Sequence, residues 1–64
     1  MSYRINYRYS DSGWTGPTGN PIPDEADAYD LAERESEASR DAARKCIDAG
    51  IDVEFIVDYK VVPS

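Results

Sequence analysis

The apolar positions of this chain follow two different periods. Over residues 2–10 they alternate: Tyr3, Ile5, Tyr7 and Tyr9 point one way, and Arg4, Asn6 and Arg8 the other. Period-two alternation of aromatic and β-branched residues predicts a half-buried strand. Between residues 24 and 49 the period lengthens, alanine becomes frequent, and neither Gly nor Pro occurs. Ala28, Leu31, Ala32, Ala42, Cys46 and Ala49 form one stripe of a helix. Most of these side chains are small, so the helix is expected to lie close against a sheet. Glu35 and Ser39 interrupt the stripe; either the helix bends there or these polar groups have a partner.

Residues 51–62 alternate again, with Ile51, Val53, Phe55, Val57, Tyr59 and Val61 on one face. Ile56 and Val62 join the polar residues of the other face. A long, mostly apolar strand is the expected centre of a sheet, and Pro63 ends it.

The helix has signals at both ends. Pro23 and the acids Asp24, Glu25, Asp27 and Asp30 suit its start, and Arg40, Arg44, Lys45 and Gly50 its finish. Residues 11–23, "DSGWTGPTGNPIP", carry three of the four prolines. That composition argues against a regular element, although Trp14 and Thr15 suit a short strand after a turn at residues 11–13. The order is β-loop-α-β. It predicts an α+β domain, one long helix packed on a small, mostly antiparallel sheet of two to three strands. A two-stranded sheet leaves an open edge. That edge calls for a third strand from the loop or for pairing across a homodimer.

Length sharpens this picture. A 64-residue domain buries only about 60% of the surface its unfolded chain exposes, and a core of this size rarely supplies more than ~3–5 kcal/mol. Cys46 is the sole cysteine and there is no histidine. An internal disulfide and a Cys- or His-rich zinc site are therefore excluded, and no cofactor is expected. No apolar run approaches the ~18 residues of a membrane span, and no secretory h-region is visible, so a cytoplasmic protein is expected.

The net charge of −6 argues against direct nucleic-acid binding and against an anionic membrane surface. It is concentrated: residues 24–37 hold seven carboxylates against Arg34, and the rest of the chain sums to zero. The bland reading of this run is a solvated helix face whose first acids favour the dipole. The functional reading is a surface that meets a basic groove on another protein, with Asp24, Glu25, Asp27, Asp30, Glu33 and Glu37 supplying steering. Salt bridges Asp30–Arg34 and Asp41–Lys45 would offset part of the repulsion.

Trp14 has two readings as well, a lid over one end of the core or an apolar anchor for a partner. Tyr3, Tyr7 and Tyr9 are assigned to the core rather than to base stacking. "TGPTGN" lacks the Lys of a phosphate loop, and "DEADAYD" lacks the glycine and spacing of a calcium loop. Cys46 reads as a small core residue. Ser36 and Ser39 have no base to activate them, and a pocket is not expected in so small a domain. The chain is read as non-enzymatic.

The stretch "EASRDAARKCIDAGIDVEFIVDYKVVP", residues 37–63, resembles small acidic phage inhibitors of host machinery. These include anti-CRISPR proteins and the T7-type inhibitor of bacterial RNA polymerase, in which an Ala-rich acidic helix leads through an "AG" turn into a Val-rich strand. The resemblance implies a compact acidic wedge, acting in the host cytoplasm, that occupies a basic surface and blocks a larger assembly. The alternative is a small structural protein that homo-oligomerises through its strand edges.

Overall fold

The computed structural model describes residues 1–64, the side chain of Thr18 excepted. Its elements are β1 (Tyr3–Tyr9), β2 (Gly13–Trp14), β3 (Thr18–Ile22), α1 (Glu25–Asp48) and β4 (Ile56–Pro63). The architecture is α+β, with one helix packed on a small antiparallel sheet.

The centre of that sheet is β1. One of its edges pairs with β4 along its whole length, from Tyr3↔Pro63 to Tyr9↔Ile56. Its other edge is shared. The pairs Arg8↔Trp14 and Tyr9↔Gly13 belong to β2, whereas Tyr3↔Ile22 and Ile5↔Thr18 belong to β3. The loop thus supplies two strands where at most one was expected, and β4 is an edge strand, not the central one.

β3 contains Gly19 and Pro21 and is flanked by Pro17 and Pro23, yet it forms because an edge strand can spare the ladder bonds that Pro removes. Its register shifts between its two pairs, and Gly19 sits there at φ 79°. A left-handed backbone of this kind is what a bulge asks of glycine.

A second bulge decides the face of β4. The register slips between Arg8↔Asp58 and Tyr9↔Ile56, so the alternation of residues 51–62 breaks near Val57. Ile56 turns into the core beside Ile5, Tyr7 and Ala32, and Tyr59 and Val61 pack against it. Residues 51–55, expected in the strand, lie before its ladder.

Helix α1 runs unbroken for 24 residues, about 36 Å at 1.5 Å per residue. Asp24 caps its start, its carboxylate accepting from the Ala26 N–H at 2.9 Å. At the other end Gly50 N–H donates to the Ile47 carbonyl and Ile51 N–H to Cys46, a Schellman pattern with Gly50 at φ 82°. The buried stripe is Ala28, Ala32, Ser36 and Ala43. Ala42 and Ala49, expected on it, are exposed, and Cys46 is half-buried.

The polar interruption of the stripe has partners, so no bend is needed. Tyr7 Oη donates to Glu35 Oε2 at 2.7 Å, and Ile56 N–H donates to Ser39 Oγ at 3.1 Å. Both bonds tie the helix to the sheet beneath it.

Candidate functional surfaces

Three surfaces carry polar or exposed apolar chemistry. The first is the outer face of α1. Its acids are exposed, but not all are free. Asp24 is engaged as the cap, Asp30 pairs with Arg34 at 3.1 Å, and Asp41 pairs with Arg44 at 3.5 Å rather than with Lys45. Glu25 lies beside the Tyr3 phenol of β1, which it pushes above its ordinary value; Asp27, Glu33 and Glu37 have no ion pair among the described residues. They are strung along the first half of the helix.

The second is the sheet face turned away from the helix. Trp14 stands opposite Arg8, which with Arg4 and Asn6 points to the face of β1 away from the core, and this removes Trp14 from the core altogether. The ring, 45% exposed, has Lys60 Nζ 4.7 Å and the Arg8 guanidinium 6.0 Å from its centroid. Such cation–π contacts contribute ~0.5–1 kcal/mol each at exposed sites. Lys60 faces Asn6 across the β4 ladder and Trp14 lies on the far side of β1. The lysine stem therefore crosses over Asn6, whose Oδ1 is buried without a partner, as is Arg4 Nε.

The lid reading of Trp14 is thus replaced by a role on the open sheet face. The structure brings Asp24, Glu25, Asp27, Asp30, Glu33 and Glu37 onto one helix but sets Trp14 on the opposite side of the molecule. They do not form one site.

The third surface was not expected at all. A cleft of about 330 Å³ opens between α1 and β3. The helix packs chiefly on β4 and only lightly on β3, so the β3 side of the core is left partly uncovered. Ile5, Ile22, Pro21 and Leu31 line it, and Tyr7 and Glu35 form its polar end. Burial and the neighbouring carboxylate push the Tyr7 phenol well above its ordinary value of 10.0. Tyr7 therefore stays a neutral donor and holds the Glu35 carboxylate in place. Glu35 was legible only as a break in an apolar stripe, since the sequence does not show that a phenol stands opposite it.

The far end of the helix adds a smaller apolar patch. Ile47 and Ile51 are more than half exposed there, and a shallow depression of about 280 Å³ runs between Arg40, Arg44, Ile47 and Phe55.

The fold thus defines an α+β domain with distinct charged faces, and no helix is long and apolar enough to cross a membrane. Comparisons with protein-family models, curated proteins and solved structures return no match to this chain.

Proposed function

We propose that this chain is a non-catalytic acidic binding protein, a phage-type inhibitor that occludes a basic surface of a nucleic-acid-handling host complex. A CRISPR effector or an RNA polymerase is the class of target, and the host cytoplasm the place of action. The observation that carries this reading is the set of solvent-facing carboxylates Asp27, Glu33 and Glu37. They serve no cap and no ion pair among the described residues, while the acids that serve the fold, Asp24, Glu25 beside the Tyr3 phenol, and Glu35, are other ones. Glu33 and Glu37, four residues apart on the helix, repel by a few tenths of a kcal/mol. A basic partner turns that repulsion into steering and attraction.

The test is affinity capture from nuclease-treated bacterial lysate at low and high salt, compared with the D27N/E33Q/E37Q variant. Recovery of a nucleic-acid enzyme that falls away with salt and with the variant supports the reading. Recovery indifferent to both would sink it, because steering between exposed charges is screened within about 10 Å at 0.1 M salt.

A further inference from the structure

We infer that the cleft between α1 and β3 is a binding site for a cationic side chain with an apolar stem, a lysine or arginine of the basic partner. The inference rests on the reading above for the source of that side chain, and on the cleft itself for its chemistry. Its walls, Ile5, Ile22, Pro21 and Leu31, are apolar, and its one charged lining group is Glu35. The volume of about 330 Å³ lies at the small end of the range for ligand sites. It suits one long side chain better than a cofactor.

The carboxylate selects the head group. Glu35 Oε2 accepts the Tyr7 phenol at 2.7 Å, and an ionised carboxylate offers about four acceptor positions, so acceptor capacity remains. An uncharged apolar guest would desolvate Glu35 and return no hydrogen bond. An anion would meet both Glu35 and the −6 of residues 24–37. An ammonium or guanidinium group donates to Glu35 while its methylenes lie on the isoleucines and Leu31. The Tyr7 bond sets this acid apart from Asp27, Glu33 and Glu37, the unpaired acids of the outer face: its position is fixed from the sheet before a guest arrives.

The experiment uses small probes, so it does not depend on finding the partner. n-Butylammonium, 1-butanol and butyrate are titrated into the intact protein while the methyl resonances of Ile5, Ile22 and Leu31 are followed by NMR. Saturable methyl shifts with n-butylammonium are expected, with 1-butanol about fivefold weaker, the order that an exposed carboxylate–ammonium pair supports. Butyrate should be weaker still. In E35Q the ammonium and the alcohol should become alike; in E33Q, an exposed acid outside the cleft, the preference should persist. The Gln side chain can still accept from Tyr7, so E35Q is expected to keep the fold, checked by circular dichroism.

Equal response to the ammonium and the alcohol in the unaltered protein would overturn the inference, as would no methyl response to either. Equal loss in E33Q and E35Q would overturn it too, by assigning the preference to the field of the helix as a whole. Partner capture that depends on Glu33 and Glu37 but not on Glu35 would leave the inhibitor reading standing without the cleft.

Discussion

At the scale of single residues, the pair Tyr7–Glu35 ties a carboxylate that the helix exposes to a phenol that the sheet buries. Tyr7→Phe should cost about 0.5–1.5 kcal/mol, the ordinary net worth of a hydrogen bond, read by urea denaturation. Its pH dependence has a definite sign. The folded-state phenol titrates above the ordinary 10.0, so its contribution is complete below that value. Above it the unfolded chain ionises first and the contribution is lost as pH rises toward the folded value. Denaturation midpoints at pH 8, 10 and 11 should therefore fall in the last interval, and less steeply for Tyr7→Phe. Ser36 points the other way: its hydroxyl is buried with no partner among the described residues. Ser36→Ala should stabilise by about 1 kcal/mol, from relief of an unsatisfied group and better helix propensity. A loss of stability on the same titration would contradict that account.

At the scale of elements, the helix is held by its two ends and by two bonds in its middle, those of Glu35 and Ser39. Asp24→Ala removes the cap and should cost about 1 kcal/mol. Gly50→Ala should cost a similar amount. Nothing lies within 4 Å of the added Cβ, so the penalty would come from the left-handed backbone alone. Ser39→Ala should cost more, about 1–3 kcal/mol, because it strands the N–H of the buried Ile56. Thermal midpoints of the three variants rank these effects.

The ends of the helix were readable from the chain because caps are local: Asp24, Gly50 and the charge order act within one turn. The alternation of β1 was readable for the same reason. The strand order was not. Whether β1 or β4 sits in the middle depends on which has two partners, and the second partner came from the proline-rich segment whose composition argues against a strand. The bulge at Val57 was hidden too, since Ile56 and Val57 are both apolar and either could face the core. The lid reading of Trp14 fails because its face is set by pairing with Arg8, a register fact that composition does not carry.

At the scale of the whole molecule, the β4 edge bears on self-association. One side of the strand is unpaired, which is the usual invitation to another copy. Yet the Tyr59 N–H is taken by its neighbour, the Asp58 carboxylate, at 2.8 Å. Lys60, the bulge and Pro63 further blunt the edge. Asp58→Ala should free that donor and raise the concentration-dependent mass in sedimentation. No change would mean that the edge is guarded by the other devices alone. Trp14→Ala should leave salt-sensitive partner binding intact, because the ring lies on the face away from the acids; loss of binding would show that both faces touch the partner.

The opposition of those two faces has a consequence for how the molecule moves before it touches anything. Cations Arg4, Arg8 and Lys60 lie on one side of the sheet and the carboxylates of residues 24–37 on the helix that covers the other. The net charge draws the protein toward a positive surface, while this separation of charge exerts a torque. A molecule so charged is turned as it drifts, and on the function proposed above it would reach a basic partner with its helix leading and Trp14 trailing.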